Sequence, residues 1–308
     1  MTLPALPPVR LVITGASGFI GRALVARANA AGHSLVALSR SAGSLPGGYE
    51  DVDALTRACA GADAVLHLAA RAHRGGTDAD FDCNVRAARA VAAAARATGV
   101  RRLVLLSSIG VNGNVTRAKP FDEGDAPAPV EPYARSKLRC EQEVRSLLEG
   151  SQTEWVLARP PLVYGPQAPG NFERLVRAVA RGLPLPVASV RNRRTLVGVD
   201  NLCDALLLCA THPAAAGQLF LLADSEHVST PEIVRCIARG LARPPRLWGA
   251  PPGLLRLGAR LAGRPRIAES LCDSLQVDAA KARRVLGWTP AVRTTDGLMQ
   301  AAAAWRLA

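Results

Sequence analysis

The segment EPYARSKLRC, residues 131–140, places a tyrosine and a lysine four positions apart, at Tyr133 and Lys137. On a helix this offset puts both side chains on one face, with about 5–6 Å between their Cβ atoms. A lysine ammonium at that distance stabilises the anionic form of a phenol, so the tyrosine can exchange a proton near neutral pH. Three of the 38 basic residues are lysine, and random placement would give a Tyr-x-x-x-Lys about 0.03 times. We predict that Tyr133 and Lys137 are catalytic.

Two serines end the apolar run LVLLSS, at Ser107 and Ser108. Ligands of doubly wound sheets bind at the carboxyl ends of the strands. A serine hydroxyl at this point is placed to hold the oxygen on which the tyrosine acts. The alternative role for either serine is to form the local turn.

A glycine-rich loop joins the first apolar run to a helical stretch in VITGASGFIG, with Gly15, Gly18 and Gly21 spaced three apart. Glycines at a strand–helix junction permit a tight turn and let backbone N–H groups and the helix N-terminus approach a pyrophosphate. We therefore predict a dinucleotide cofactor here. The predicted contacts in this loop are Gly15, Ser17, Gly18, Phe19 and Ile20.

The end of the second apolar run bears on the type of cofactor. Many dinucleotide-binding folds place an acidic residue there to bind the ribose hydroxyls, whereas this chain has Ser39 followed by Arg40. A cation at this position suits a 2′-phosphate. The pair favours NADP over NAD, with NAD as the alternative.

The order of elements predicts an α/β fold, a doubly wound parallel Rossmann sheet. Continuous apolar runs alternate with helical stretches over residues 1–160, which is typical of a parallel sheet covered on both faces. Residues 161–308 follow a less regular pattern and are predicted to form a smaller, discontinuous substrate lobe, with some segments returning to the sheet. The stretch SAGSLPGGYE is short, so a third strand of the sheet is expected to be curtailed there.

Composition excludes several classes of protein. The net charge of +13 arises from dispersed arginines, not from a polybasic tract, so it indicates an anionic small molecule and not nucleic acid. Seven cysteines without a C-x-x-C pair predict free thiols, a cytoplasmic location and no metal site. Prolines and arginines interrupt the apolar stretch 250–262, so no membrane insertion is expected.

Several motifs together resemble the extended short-chain dehydrogenases/reductases, in particular the NAD-dependent epimerase/dehydratase family around UDP-glucose 4-epimerase. The resemblance covers nearly the whole chain. The motifs that carry it are TGASGFIG, HLAA at 67–70, the Asn84 of CNV, SSIGVNG, YARSK, RPPLVYGP, NRRTLVGVDN and KARRVLGW.

The resemblance implies a role for each matching position. Ser108, Tyr133 and Lys137 would be the catalytic residues, with Ser108 preferred to Ser107 because it lies three residues before the Val of VNG. It also implies a homodimer built on the helices of residues 82–98 and 132–149. Further expected cofactor contacts are Leu68, Ala69, Ala70, Asn84, Tyr133, Lys137 and Pro160, and expected substrate contacts are Ser108, Asn171 and Arg194.

The activity implied is hydride transfer at C4 of a nucleotide-diphosphate sugar. The Ser39–Arg40 pair favours a 4-keto nucleotide-sugar reductase of surface-polysaccharide precursor synthesis. A UDP-hexose 4-epimerase with tightly bound NAD is the alternative, and a non-catalytic NADP-binding sensor is an alternative of another class. A 4,6-dehydratase is disfavoured because SSIGVNG supplies no acid. Asn112 stands where the family has the Tyr of VYG.

Overall fold

A computed structural model describes residues 7–39, 45, 47–72, 76–263 and 265–306. These residues form nine strands and eleven α-helices. The strands are β1 (Arg10–Thr14), β2 (Ser34–Leu38), β3 (Ala64–His67), β4 (Arg102–Leu106), β5 (Glu154–Arg159), β6 (Leu162–Tyr164), β7 (Arg194–Gly198), β8 (Gln218–Leu221) and β9 (His227–Val228). The helices are α1 (Phe19–Ala30), α2 (Val52–Cys59), α3 (Asp82–Thr98), α4 (Pro132–Leu148), α5 (Asn171–Ala180), α6 (Val199–Thr211), α7 (Thr230–Gly240), α8 (Pro252–Leu261), α9 (Pro265–Cys272), α10 (Ala280–Leu286) and α11 (Thr294–Arg306).

The central sheet has six parallel strands in the order β2-β1-β3-β4-β5-β8. Every residue of β3 and β4 is buried, because helices α1 and α6 pack on one face of the sheet and α3 and α4 on the other. The doubly wound parallel fold predicted from the sequence is confirmed. Residues 41–44 and 46 of the stretch SAGSLPGGYE lie outside the described residues, so the expected curtailment of a third strand stays a prediction.

A second, three-stranded sheet has the order β6-β7-β9 and packs with α5, α7 and α11. The Asp224 carboxylate, just after β8, accepts hydrogen bonds from the Tyr164 hydroxyl at 2.9 Å, the Gly198 amide at 3.1 Å and the Asn201 amide group at 2.7 Å. This buried carboxylate therefore joins the small sheet to the edge of the large one. Strand β8 is part of the large sheet and helix α6 packs against that sheet, although both follow residue 160. The domain boundary at that residue stays a prediction.

A buried ion pair joins α4 to β5. The Glu141 carboxylate accepts two bonds from the Arg159 guanidinium, Nε to Oε1 at 2.8 Å and Nη2 to Oε2 at 2.5 Å. Ser107 donates its hydroxyl to the same carboxylate at 2.5 Å, and Arg159 Nη1 donates to Asn112 Oδ1 at 2.8 Å. All four residues are buried. Both charges are satisfied by well-placed partners, the condition under which a buried pair is tolerated.

Among the described residues no helix is long and apolar enough to cross a membrane. The same residues hold no group of three or more His, Cys, Asp or Glu side chains able to bind a metal ion.

Removing the carboxylate of Glu141 is expected to destabilise the fold strongly. The change Glu141→Ala leaves Arg159 buried without its counter-ion, which typically lowers the free energy of unfolding by ~3–5 kcal/mol. Glu143→Ala on the same helix is the control, because Glu143 lies 3.9 Å from Arg89 at the surface and such pairs contribute ~0–1 kcal/mol. Urea denaturation measures both, and equal losses would contradict the role of the buried pair.

Candidate active site

The predicted tyrosine and lysine lie one turn apart in α4, which begins with Pro132, a residue suited to the first helical position. The half-buried Tyr133 ring meets the Phe81 ring edge-on, with centroids 6.0 Å apart. Lys137 is buried, and its Nζ lies 6.0 Å from the centre of the Tyr133 ring. The same Nζ donates to the Leu106 carbonyl at 2.7 Å. The last residue of β4 thus fixes the ammonium beside the tyrosine.

The two serines that follow β4 have different partners. Ser107 is buried and donates to Glu141, whereas Ser108 is half-buried and its Oγ accepts the Gly110 amide at 3.1 Å. A Cβ added at Gly110 would lie 3.4 Å from Ser108 Oγ and 3.3 Å from the Cβ of Ala134. Ser108 therefore adjoins the first turn of α4, which carries Tyr133. Its position supports the choice of Ser108 as the hydroxyl that faces a substrate.

The glycine loop has the shape that a pyrophosphate requires. Gly15 has φ +74°, and a Cβ there would lie 2.8 Å from the Ala69 nitrogen. A Cβ at Gly21 would lie 2.1 Å from the Gly15 carbonyl oxygen, so both positions require glycine. Gly18 caps α1 without a side-chain hydrogen bond, and the first turn, which starts with Phe19 and Ile20, has no acidic residue. The free amide groups of this turn fit an anionic diphosphate.

The residues after β3 and β5 complete the carboxyl edge of the sheet. Leu68 is half-buried, Ala69 is buried and donates its amide to Thr14 Oγ1 at 3.3 Å, and Ala70 is exposed. The carbonyl of the buried Pro160 accepts the Ile109 amide at 2.9 Å, which ties the end of β5 to the segment after β4. The predicted cofactor contacts therefore lie along one edge, beside the glycine loop.

A tyrosine that the sequence analysis did not select closes the loop on the side of β2. The Tyr49 hydroxyl accepts the Gly15 amide at 2.9 Å and donates to the Leu38 carbonyl at 3.1 Å. Tyr49 also lines a cavity of about 610 Å³ together with Ala70 and Asn84. Ser39 is buried, and Arg40 lies outside the described residues. One signal for this role was present, since Tyr49 is one of three tyrosines in the chain.

Asn84 connects the loop after β3 to α4. Its Oδ1 accepts the Arg71 amide at 2.7 Å, and its Nδ2 donates to the Arg71 carbonyl at 3.1 Å and to Ser136 Oγ at 3.2 Å. Ser136 in turn donates to the Tyr133 carbonyl at 2.8 Å. The side chain thus positions the helix that carries the tyrosine, while its predicted contact with the cofactor stays a prediction.

The two predicted substrate residues both contact the segment at and after the end of α9. Asn171 Nδ2 donates to Ser270 Oγ at 3.1 Å, and Arg194 Nη1 donates to the Asp273 carbonyl at 3.2 Å. Burial lowers the pKa of Arg194, and the charge of Asp273 opposes that shift. An arginine remains protonated in proteins, so a partly desolvated guanidinium is available to a diphosphate.

His67, the last residue of β3, has a structural role. Its Nδ1 is hydrogen-bonded to Thr14 Oγ1 at 2.7 Å, and the ring is buried at the end of β3. Burial lowers the pKa of His67 to about 3, with a further contribution from the charge of Lys137. The ring is therefore neutral at physiological pH and packs in the core.

Comparison with known proteins gives the family. A family profile described as the NAD dependent epimerase/dehydratase family matches residues 11–223. A UDP-glucose 4-epimerase from Vibrio cholerae is 35% identical over 317 residues, covering 97% of this chain and 96% of that protein. The chain belongs to the NAD dependent epimerase/dehydratase family. It is thereby an enzyme of the extended short-chain dehydrogenase type that depends on a nicotinamide cofactor, which sets aside the non-catalytic sensor.

Two further proteins are similar over most of the chain. An N-acetyl-alpha-D-glucosaminyl-diphospho-ditrans,octacis-undecaprenol 4-epimerase from Escherichia coli O157:H7 is 27% identical, covering 88% of each protein. The crystal structure of UDP-N-acetylglucosamine 4-epimerase from Bacillus cereus has a TM-score of 0.78 at 17% identity, covering 97% of this chain and 99% of that one. The structural match shows the shared fold.

Replacing Gly15 by alanine is expected to abolish cofactor binding. Its positive φ alone makes a side chain unfavourable by ~1–2 kcal/mol, and the new Cβ would also collide with the Ala69 backbone. Gly32→Ala is the matched control, because Gly32 has φ +81° and open space around it. Both variants are expected to lose stability, and Gly15→Ala alone to lose NAD(P) binding, measured by calorimetry. Equal cofactor affinities in the two variants would contradict this account.

The change His67→Gln is expected to reduce the decrease in the free energy of unfolding that occurs at acid pH. The unfolded histidine binds a proton below pH ~6.5, whereas the folded one does so only near pH 3. The contribution of His67 to the free energy of unfolding is therefore fully present above pH 6.5. It falls by up to ~1.4 kcal/mol per pH unit as the pH drops toward 3. Urea denaturation between pH 7 and pH 4 compares the variant with wild type. The same reduction in His212→Gln would argue against His67 as the source.

Proposed function

We propose that the protein is a 4-epimerase of a nucleotide-diphosphate hexose that retains its nicotinamide cofactor. The observation that carries the proposal is the arrangement of Ser108, Tyr133 and Lys137 at the carboxyl end of β4, beside the glycine loop. A tyrosine beside a buried ammonium, on a helix whose first turn adjoins a serine hydroxyl, suits proton exchange with a sugar hydroxyl.

In the proposed reaction Tyr133 removes the proton from the C4 hydroxyl while the C4 hydrogen leaves as hydride, and it later returns that proton to the oxygen. Ser108 donates a hydrogen bond to the same oxygen, which holds it in place at both stages. Lys137 stabilises the phenolate, and its remaining N–H donors suit the ribose hydroxyls of the cofactor. A nicotinamide held at this edge by the glycine loop and Lys137 would supply the acceptor and donor of that hydride.

The sugar diphosphate is assigned to Arg194 and Asn171. A guanidinium can bind phosphate oxygens through two parallel hydrogen bonds. Among the residues that the structure describes, no carboxylate lies within ion-pair distance of Arg194. A role in the synthesis of surface polysaccharides agrees with the relative that acts on a sugar diphosphate of undecaprenol. The homodimer and the cytoplasmic location stay predictions.

The epimerase is preferred to the reductase because the relative that matches nearly the full chain at 35% identity is a 4-epimerase. One observation favours a 4-keto reductase that uses NADPH as the second candidate. Ser39 replaces the acid that would select NAD at the end of β2. The two reactions differ in whether the cofactor is regenerated within each turnover or consumed.

The cofactor and the tyrosine together provide the test. Denaturing the purified protein is expected to release near-stoichiometric NAD, and ¹H NMR is expected to show UDP-glucose or its N-acetylated analogue interconverting with the 4-epimer. Tyr133→Phe is expected to lower kcat by a factor of ~10²–10⁴ while the cofactor stays bound. The control is Glu143→Gln on the same helix, since Glu143 lies at the surface 3.9 Å from Arg89, and its kcat is expected to equal that of wild type.

Three results would change the assignment. An empty protein that binds NADPH more tightly than NADH and reduces a 4-keto nucleotide sugar would replace the epimerase with the reductase. Affinity for neither cofactor would contradict both reactions. Full activity in Tyr133→Phe would remove the tyrosine from the mechanism.

A further inference from the structure

Helix α8 presents its leucines to solvent. Leu254, Leu257 and Leu261 are 61%, 54% and 82% exposed and lie on one face, at positions i, i+3 and i+7. The other side of the helix contacts the protein, because Leu255 packs against the core of the small sheet. No residue of α8 is fully buried. The helix is therefore amphipathic with its more apolar face turned outward, the reverse of an ordinary surface helix.

Other exposed apolar residues lie near α8 along the chain. Trp248, just before the helix, is 53% exposed, and Ile267 in α9, which packs against α8, is 45% exposed. Five of the nine large hydrophobic side chains that are exposed among the described residues fall within 248–267. Such a concentration marks an interaction site, whereas single exposed apolar residues are ordinary. These five residues are named here the α8 surface.

The chain segment that contains the α8 surface is basic. The segment 233–268 contains eight arginines and neither aspartate nor glutamate. Arg256 and Arg260 lie one turn apart on the flank of the leucine face, and both are exposed. Arg266 lies beside Ile267 and is also exposed, 3.9 Å from Glu131. An outward stripe of leucine with a tryptophan nearby and arginines on its flank is the pattern of helices that lie in a bilayer interface.

We propose that the α8 surface docks the protein on an anionic lipid bilayer, with α8 parallel to the membrane plane. Leucine burial and attraction between arginine and acidic headgroups supply the two signals that stable peripheral binding requires. A second copy of this chain on the same surface would bring arginines against arginines, which disfavours that occupant. Docking at the interface needs no membrane-spanning helix.

Helix α8 is directly connected to the proposed substrate site. Arg256 of α8 pairs with the Asp273 carboxylate at 2.5 Å, and the Asp273 carbonyl accepts from Arg194. Asn171 contacts Ser270 in α9. Docking would therefore hold the diphosphate-binding residues close to the headgroups. This consequence depends on the proposed function, whereas the docking itself does not.

Vesicle flotation tests the docking. The wild-type protein is expected to float with vesicles of phosphatidylcholine containing phosphatidylglycerol at low salt, and much less with phosphatidylcholine alone or at high salt. The double variant Leu257→Glu/Leu261→Glu is expected to reduce the floated fraction at least tenfold. Val52→Glu, at a 41% exposed position in α2, is the control and is expected to float like wild type.

Three outcomes of these measurements would contradict the proposal. Failure of the wild type to float, or flotation of the double variant like wild type, would exclude the α8 surface as a membrane site. Loss of a dimer in the double variant, seen by size-exclusion chromatography, would make a second copy the occupant. C4 epimerisation of a soluble nucleotide sugar, measured without vesicles, is expected to be unchanged in the double variant. Failure of docking is thereby distinguished from failure of the proposed reaction.

Discussion

The buried pair between Glu141 and Arg159 is the interaction on which the proposed catalytic edge of the sheet depends. Glu141 lies one turn after Lys137, which itself lies one turn after Tyr133. The pair therefore fixes the face of α4 that carries the two proposed catalytic residues. Through Ser107 and Asn112 it also holds the ends of β4 and its following loop. A shift of α4 along the sheet would separate two buried charges, which is unfavourable. Tyr133 and Lys137, the proposed catalytic residues, therefore stand on a helix whose displacement along the sheet is unfavourable.

A second buried carboxylate plays the corresponding part on the substrate side. Asp224 holds β6 and the start of α6 against the edge strand of the large sheet, and burial raises its pKa while its hydrogen-bond donors oppose the shift. Arg194 opens the adjacent strand β7 of that small sheet. The distance between Tyr133 and Arg194 thus depends on two buried carboxylates, those of Glu141 and Asp224. Each carboxylate has its hydrogen-bond donors within the protein. Preorganised supports of this kind keep a site at its working geometry.

Local sequence was sufficient for the framework. The alternation of apolar runs and helical stretches predicted the parallel sheet, and the helix expected at 132–149 is observed at Pro132–Leu148. Both regularities depend on neighbours along the chain. The roles of Tyr49 and Glu141 could not be obtained in this way, because their partners lie 34 and 18 residues away. Asn84 was selected by resemblance, yet its bonds to Arg71 and Ser136 required the folded chain.

The Tyr49 bridge bears on how the cofactor enters and leaves. The phenol joins the first glycine of the loop to the last residue of β2, and it belongs to the short helical turn Gly48–Glu50 that precedes α2. Opening that side of the cleft breaks both hydrogen bonds and displaces the turn. A dinucleotide that leaves on that side requires local unfolding of this surface segment, a slower event than side-chain rotation. An enzyme that regenerates its cofactor in every cycle has no need of rapid exchange, and a long residence time suits it.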